Sequence, residues 1–311
     1  MKKRAYVKNQ IQIIRKTKAR FLSIFCIVFL GAAFFAGLRH TSSIMEITMD
    51  DYLKKYEYND FNYISTLGFD ESIVDKIAKV DEVENVEYGN RFDALMDFED
   101  SRKGVTVYTN NDFKNSVDKL ELVEGSFPTK DDECVVDYNF TTRNKVNVGD
   151  KIVLSNDNGV KEFVVSGLVN DTRYFSTVER GTNTLGDGTN EAFIMILSDG
   201  NEEFALPKEL YDLRGKIVFN ELRVTLKNPN DYSIFSDEYL SYCDDVNKQI
   251  EKILNNEIDL VNDSLIADAN DELAQGEKDY EDAKAKYEDG VNQYNEGLAQ
   301  YQNGYSQYLD G

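Results

Sequence analysis

The residues that could carry catalysis or bind a metal are few in this sequence. His40 is the single histidine, and Cys26, Cys134 and Cys243 form no cluster with it. Zinc sites need several Cys or His ligands at close spacing, and a Ser-His-Asp triad needs a histidine base. Cys26 lies in an apolar run, and the other two cysteines do not make a disulfide framework. We therefore expect no catalytic residue, no metal ligand and no enzyme activity in the chain by itself.

Motifs that bind nucleotides or calcium are also absent from the sequence. It contains no G-x-x-x-x-G-K-[ST] phosphate loop, and the GDG at 186–188 does not open a helix after a strand. No D-x-[DN]-x-[DN]-G calcium loop occurs. We therefore expect no cofactor-binding residue in this chain.

The charge of the chain divides sharply along its length. Residues 1–39 carry nine Lys/Arg and no acid, which leaves 26 basic residues against all 57 acidic ones in residues 40–311, a net charge of −31. Such a surface does not bind nucleic acid through a basic face. An acidic exterior attracts cationic ligands or simply keeps the domain solvated, and the sequence does not decide between these.

An apolar segment near the N-terminus predicts a membrane anchor. Residues 21–38 contain no charge, and about 20 apolar residues cross a bilayer core. Eight of the nine basic residues precede this segment, so the N-terminus is expected in the cytoplasm and residues 39–311 outside the cell membrane. A cleaved signal peptide is the alternative, but the apolar run is long and no small-x-small site follows it. Residues 1–20 suit a basic amphipathic helix in the cytoplasmic headgroup region or a plain topogenic flank.

The segments outside the membrane predict an α+β domain. Ile44, Ile47 and Tyr52 keep helical spacing, so the membrane helix is expected to continue as a stalk. FNYISTL, DESIVDKIAKV, VENVEYG and RFDALMDF then suggest a β-α-β unit, with Asp70 or Ser72 as the helix cap. Several β-rich segments follow, including a hairpin turn at 156–159. After GKIVFNELRVTLKNP, a helix from about Tyr232 extends to the end of the chain.

These segments predict a split ferredoxin-like domain with a small β-rich subdomain inserted into it. The expected boundaries are a basic helix at 1–20, a transmembrane helix at 21–38, a stalk at 39–57, the split β-α-β domain at 58–120 and 215–231, the inserted subdomain at 121–214, and a long coiled-coil helix at 232–311.

The most regular pattern lies in the C-terminal tail, where tyrosine recurs every seven residues. The repeat comprises Tyr280, Tyr287, Tyr294, Tyr301 and Tyr308, with glycine three residues later at Gly290, Gly297 and Gly304. Glycine in a helix interior costs about 1 kcal/mol relative to alanine, but small residues also let a partner helix approach closely. The tail is expected either to pair with a returning arm beyond residue 311, in an antiparallel hairpin, or to dock another protein.

The region between residues 122 and 167 resembles the extracytoplasmic core of MacB/FtsX-like ABC transporter permeases. That core follows the pattern L-x-x-G-R-x-P, an acid and a hydrophobic strand, v-G-D-x-i, a hairpin and f-x-V-x-G-v. The matching positions are Leu122, Gly125, Pro128, Glu133, Val148, Gly149, Asp150, Ile152, Phe163, Val165 and Gly167. Ser126 stands where the family commonly has Arg. The motif residues are mainly structural: the glycines allow turns, and Asp150 holds one.

The resemblance covers roughly residues 1–230 and implies a function. Family members have four membrane helices, pair as dimers and use a separate or fused ATPase, so ATP would bind to a partner subunit. They act as mechanotransmitters, in which ATP-driven movement on the cytoplasmic side moves the outer domain. This chain would then be the front part of a longer permease.

Two other classes of protein fit parts of the sequence. A membrane-anchored surface or adhesion protein needs only an anchor, a β domain and a projecting coiled coil, and similar glycine heptads occur in YhgE/Pip-like membrane proteins. A secreted hydrolase needs a catalytic constellation, which the abundance of Asp and Glu does not supply.

Overall fold

The computed structural model of the chain describes residues 2–98, 101–114, 116–174 and 180–310, without the side chains of residues 2–5, 101 and 308. The chain divides into two units, Met1–Lys248 and Gln249–Gly311. The first unit contains two helices near the N-terminus and two β-sheets, so the fold is mixed α+β as the sequence predicts.

Two helices open the chain, α1 at Lys2–Lys16 and α2 at Lys18–Lys55. Helix α2 has 38 residues and is therefore about 57 Å long at 1.5 Å per residue. Its most apolar 18-residue window has a mean hydropathy of 2.5, and none of that window is buried. Within the described part of the chain, α2 is the one helix long and apolar enough to cross a membrane. The predicted membrane segment and the predicted stalk are both parts of this helix.

The smaller sheet contains three antiparallel-paired strands in the order β1-β10-β2. Its elements are β1 (Phe61–Phe69), α3 (Glu71–Ile77), β2 (Val83–Gly89) and β10 (Phe219–Leu226). Helix α3 begins where expected because the carboxylate of Asp70 accepts a hydrogen bond from the backbone N–H of Ser72 at 2.9 Å. Ile73 and Ile77 of α3 are buried.

The larger sheet forms a partly closed β-barrel. Its strands are β3 (Arg91–Phe98), β4 (Ser101–Asn110), β5 (Glu121–Gly125), β6 (Glu133–Asp137), β7 (Lys151–Asn156), β8 (Gly159–Asn170) and β9 (Ala192–Leu197). The order is β5-β8-β6-β9-β4-β3-β7, and β7 at one end also pairs with β8, the second strand from the other end. The hairpin predicted at 156–159 is confirmed, since Asn156 pairs with Gly159 between β7 and β8. Alternate apolar side chains fill the barrel interior, among them Ala94, Met96, Val105, Val107, Ile152, Leu154, Phe163 and Val165.

Strand β3 lies in a different sheet from the one that the sequence indicates. RFDALMDF was expected to continue the β-α-β unit, whereas β3 pairs with β4 and β7 in the barrel. The side chains of Ala94 and Met96 are fully buried in the barrel core, and this burial determines which sheet the strand joins. The split ferredoxin-like arrangement stays a prediction, because the described smaller sheet has three strands.

Four short helical segments and one long helix complete the chain. They are α4 (Tyr138–Asn144), a 3-10 turn (Thr172–Tyr174), α5 (Glu202–Ala205), α6 (Lys208–Arg214) and α7 (Asp237–Asp310). Helix α7 begins later than the expected Tyr232 because residues before it form turns. The backbone N–H of Tyr232 donates to Asn228 Oδ1 at 3.0 Å, and the hydroxyl of Ser236 accepts from the backbone N–H of Tyr239 at 3.2 Å.

Candidate functional site

The C-terminal end of α2 is tied to the chain segment that precedes α7. Asp50 accepts a hydrogen bond from the backbone N–H of Ile234 at 2.7 Å. One turn later, the Lys54 ammonium lies 3.1 Å from the Asp50 carboxylate and 2.9 Å from that of Asp231. The stalk is therefore fixed laterally over its last turn.

The chain reverses direction directly after α2 and meets the segment that leads into β5. Glu57 adopts a left-handed backbone conformation with φ of 50°. Its carbonyl accepts from the backbone N–H of Asp118 at 2.9 Å, and the carbonyl of Tyr56 accepts from Lys119 at 2.7 Å. The Lys119 ammonium also pairs with the Glu57 carboxylate. Two backbone hydrogen bonds thus join the end of the stalk to residues that enter the barrel.

A buried ion network continues from Asp118 into the smaller sheet. The carboxylate of Asp118 accepts from the backbone N–H and the side-chain amide of Asn59, both at 2.8 Å, and lies 3.4 Å from a guanidinium nitrogen of Arg223. Arg223 lies on β10, is fully buried and donates to Glu87 of β2 at 2.7 Å. Glu221 lies 3.8 Å from the same guanidinium. We call residues 50–60, 116–119, 221–223 and 231–234, with Glu87, the stalk junction.

Burial dominates the electrostatics of the stalk junction. It raises the pKa of both Asp118 and Glu87, and the positive charges of Arg223 and Arg173 oppose that shift. The second oxygen of Glu87 accepts from the backbone N–H of Val117 at 2.5 Å. Each carboxylate is thus held by a cation and by a backbone N–H. Removing one partner from such a buried network usually costs about 3–5 kcal/mol, because the remaining charge stays buried.

A small cleft opens beside the stalk junction, between β2 and the segment that follows β4. Its volume is about 220 Å³, and Glu87, Asn110 and Val117 are among the lining residues. The side-chain amide nitrogen of Asn110 is buried and has no hydrogen-bond partner among the described residues. The cleft therefore has room for a few water molecules or a small polar group.

Two of the predicted motif glycines lie opposite each other between neighbouring strands. Gly125 of β5 pairs with Gly167 of β8. A Cβ atom added to Gly125 would lie 2.3 Å from the carbonyl oxygen of Ser166, and one added to Gly167 would lie 2.6 Å from that of Ser126. Gly125 also has a φ of +79°, in the left-handed region that glycine adopts most readily. These glycines allow two backbones to approach closely.

The remaining motif residues form the turn that leads into β7. Gly149 has a φ of +95°, and its backbone N–H donates to the carbonyl of Val165 at 2.8 Å. The carboxylate of Asp150 accepts from the backbone N–H of Asn147 at 2.8 Å and so closes the turn. Pro128 is buried in the loop after β5. The structure brings the motif residues together around the paired ends of β5, β7 and β8, apart from the stalk junction.

The predicted tail residues all lie on α7. Tyr280, Tyr287, Tyr294 and Tyr301 are each at least 66% exposed. Apart from the adjacent residues and the backbone of the same helix, no described atom lies within 4 Å of a Cβ built at Gly290, Gly297 or Gly304. The side chain of Tyr308 lies outside the described residues. The predicted coiled-coil contacts therefore stay a prediction, while the helix that would carry them is present.

Comparison with known proteins finds similar solved structures, whereas no family model matches the chain. The extracellular domain of the noncanonical ABC-type transporter YknZ from Gram-positive bacteria has a TM-score of 0.35 at 11% identity, over 54% of this chain and 83% of that one. The periplasmic region of MacB from Actinobacillus actinomycetemcomitans has a TM-score of 0.37 at 12% identity, over 60% and 72%. A domain of a protein described as a permease from Porphyromonas gingivalis has a TM-score of 0.34 at 13% identity, over 59% and 70%. The functional assignment rests on the chain's own residues.

The residues of the stalk junction were not found from the sequence. Glu221 and Arg223 alternate with the buried Leu222 and Val224 along β10, which is the pattern of a strand with one solvated face. The structure instead covers both faces of this central strand. A charged pair at alternate positions of a strand that lies between two others is the signal that could have indicated a buried network.

Proposed function

We propose that this chain is the N-terminal part of a permease subunit of a mechanotransmitting ABC transporter. Sequence motifs that resemble the MacB/FtsX-like core support this, together with an apolar N-terminal helix that enters the same unit as that core. In this proposal the N-terminus is cytoplasmic, an ATPase subunit and a second permease copy are the partners, and residues 39–311 are extracellular. ATP hydrolysis by the partner would move the outer domain rather than drive a substrate through this segment.

The observation that carries the proposal is the continuity of α2 and the way in which its outer end is held. One helix runs from the apolar segment to Lys55, so a tilt in the membrane is transmitted along a hydrogen-bonded rod rather than a flexible linker. At the outer end, Asp50 and Lys54 bind the segment before α7, while Tyr56 and Glu57 bind the segment before β5. A movement of the stalk would therefore reach both sheets.

The buried network makes this connection stiff. Asp118 receives hydrogen bonds from the chain next to the stalk and contacts Arg223 in the middle of the smaller sheet. Opening the network would leave carboxylates buried without a cation, at a cost of about 3–5 kcal/mol, several times the thermal energy. The junction is thus expected to move as one body with α2.

The smaller sheet fits the split ferredoxin-like domain expected from the resemblance. The chain forms β1, α3 and β2, leaves to build the barrel, and returns as β10 between β1 and β2. Insertion of a later strand between the two strands of a β-α-β unit is typical of that fold. We propose that these strands are part of such a sheet.

The test is to make the stalk flexible without changing the outer domain. Insertion of two glycines between Ser42 and Ser43 should uncouple movement of the outer domain from ATP turnover, because glycine weakens the helix by about 1 kcal/mol per residue relative to alanine. The measurement is the ATP-dependent change in distance between spin labels at exposed barrel positions, in nanodiscs that contain the complete permease and its ATPase.

Insertion of two alanines at the same place is the matched control. The alanine insertion adds the same length and the same helical rotation but keeps the helix intact. A difference between the two variants therefore reports on the stiffness of the helix and not on the added length or rotation. If the glycine variant keeps the full ATP-dependent distance change, the rigid-stalk mechanism is wrong. If no ATPase binds the complete protein, the surface-protein alternative replaces the transporter proposal.

A further inference from the structure

The tail contains a helical face without charge. From Tyr287 to Gln307 the sequence repeats Y-x-x-G-φ-x-Q three times, where φ is Val291, Leu298 or Tyr305. With tyrosine at heptad position a, glycine falls at d, the φ residue at e and glutamine at g. In the helix observed for this segment, positions g, a, d and e share one side. The acids of this segment lie at positions b and c instead, as Glu288, Asp289 and Glu296.

This face is open in the structure. Tyr287, Tyr294 and Tyr301 are 73%, 69% and 70% exposed. A Cβ built at Gly290 or Gly297 would have no neighbour within 4 Å. Large aromatic side chains and empty glycine positions therefore alternate along a surface that nothing covers among the described residues. We call positions g, a, d and e from Tyr287 to Gln307 the Tyr-Gly face.

We propose that the Tyr-Gly face binds the same face of a second copy of this chain, with the two helices antiparallel. In an antiparallel pair, position a of one helix meets position d of the other. Suppose that Tyr294 of one copy lies over Gly297 of the second copy. The heptad spacing then places Tyr287 over Gly304 of the second copy, and Tyr301 over Gly290 of the second copy. Each ring then fills the space left by a missing side chain. A parallel pair would stack tyrosine on tyrosine and glycine on glycine, which leaves gaps at every second layer.

The flanking positions support the same arrangement. Antiparallel packing brings e next to e and g next to g, so Val291 lies near Leu298 of the second copy and Gln293 near its Gln300. A glutamine amide both donates and accepts, and two glutamines can therefore satisfy each other.

The distribution of charge favours a like partner over a basic one. The face carries no acid that a basic helix could pair with, and the acids at b and c stay in solvent, where their repulsion is weak. This inference does not depend on the proposed transporter role.

Cross-linking of the full chain in detergent tests the pairing. In a background of Cys26→Ala and Cys243→Ser, with the buried Cys134 left in place, one tagged copy carries Gln293→Cys and a differently tagged copy carries Gln300→Cys. A short bismaleimide should join the two tags. The parallel alternative is tested with Gln293→Cys and Leu298→Cys, which face each other only in a parallel pair. We expect at least about tenfold more mixed product from the antiparallel pair, since side chains on opposite sides of a helix pair are out of reach.

A charge placed on the face should abolish the product. Gly297→Glu with Gly304→Glu introduces two acids at d, whereas Asn292→Glu with Ser306→Glu introduces the same charge at the outward f positions. The substitutions at d should reduce cross-linking at least about tenfold, because position d lies in the contact between the two helices. The substitutions at f should leave cross-linking nearly unchanged, because position f faces solvent. The proposal is overturned by equal loss in both, by preferential parallel cross-linking, or by no cross-link between copies. The readout reports on the tail alone, so dimerisation elsewhere in the chain does not affect it.

Discussion

The stalk junction and the Tyr-Gly face both depart from the usual placement of charged side chains at the surface and apolar side chains in the interior, but they do so in opposite ways. In the stalk junction, charged residues such as Arg223 and Asp118 are completely buried. On the Tyr-Gly face, apolar and aromatic residues such as Tyr287 and Leu298 are exposed. Charged groups are rarely buried unless they are paired, and contiguous apolar surface is rarely left open without a purpose.

The difference between them indicates two kinds of function. The stalk junction has its partners within the chain: Arg223 contacts three carboxylates from β2, β10 and the segment before β5. Its role is internal, to hold the stalk and the two sheets in one arrangement. The Tyr-Gly face has no partner among the described residues, and in our proposal it binds a second copy of the chain. Substitutions in the stalk junction should therefore lower the free energy of unfolding, whereas substitutions on the Tyr-Gly face should change the association of two copies of the chain.

The largest effect on stability is expected from Arg223→Met. Loss of the guanidinium removes the cation that contacts Glu87, Asp118 and Glu221, and we expect a loss of about 3–5 kcal/mol in the free energy of unfolding. Urea denaturation of the full chain in detergent measures this.

Arg102→Met is the matched control for Arg223→Met. Arg102 binds Asp97 at 2.8 Å, but both side chains are more than 40% exposed, so the change should cost less than about 1 kcal/mol. Similar losses for the two variants would contradict the stabilising role of burial at the stalk junction.

The next largest effect is expected from Gly125→Ala. The new Cβ would clash with the carbonyl of Ser166, and the left-handed φ is unfavourable for alanine, so we expect a loss of about 2–4 kcal/mol. Gly149→Ala is the comparison, because its φ is also positive but the space around it is open. It should cost about 1–2 kcal/mol. Equal midpoints of thermal unfolding for the two variants would show that close backbone approach at Gly125 is not important.

A pH-dependent effect is expected from Asp70, which caps α3. Burial raises its pKa, but hydrogen bonds from Lys216 and from Ser72 outweigh burial and lower it from 3.8 to about 2. A carboxylate with a lowered pKa stabilises the fold above its unfolded pKa, and this contribution is lost as the pH falls from about 4 to about 2. Asp70→Asn should therefore flatten the fall in stability over that range, at a cost of about 1–2 kcal/mol at neutral pH, because the charge that Lys216 stabilises is lost. Unchanged acid sensitivity of unfolding would contradict this assignment.

The smallest effect, with the opposite sign, is expected in the tail. Gly276 lies on α7 outside the Tyr-Gly face, and its Cβ position is empty. Gly276→Ala should stabilise the helix locally by about 1 kcal/mol, without any change in the unfolding of Met1–Lys248. Amide hydrogen exchange of residues 273–279 measures the gain. Faster exchange would reveal a neighbour packed against Gly276.

The elements that local chemistry determines were predictable from the sequence. Three such elements are the apolar helix over residues 21–38, the 156–159 hairpin and the cap of α3, for which Asp70 was one of two candidates. Each depends on a short run of residues, and each is present in the structure. The absence of proline after Pro229 similarly indicated a long helix.

The parts that depend on distant contacts could not be predicted. β3 has the alternation of any strand, and only its burial against β4 and β7 assigns it to the barrel. The polar, glycine-containing segment after β8 has the composition of a surface loop, yet Asn183 and Asn190 are buried. The Asn183 amide donates to the carbonyl of Val105 at 2.9 Å. Periodicity within a segment contains no information on such partners.

The position of β10 also constrains how the chain can fold. β1 and β2 do not pair with each other, since β10 lies between them, and the whole barrel separates Gly89 from Phe219 along the chain. The smaller sheet can therefore form only after every barrel strand has been synthesised, which gives it a high contact order and slow assembly. Until then the edges of β1 and β2 that β10 will occupy are unpaired. The barrel, whose strands are nearly contiguous in sequence, is expected to fold first and to protect the chain from aggregation while the central strand arrives.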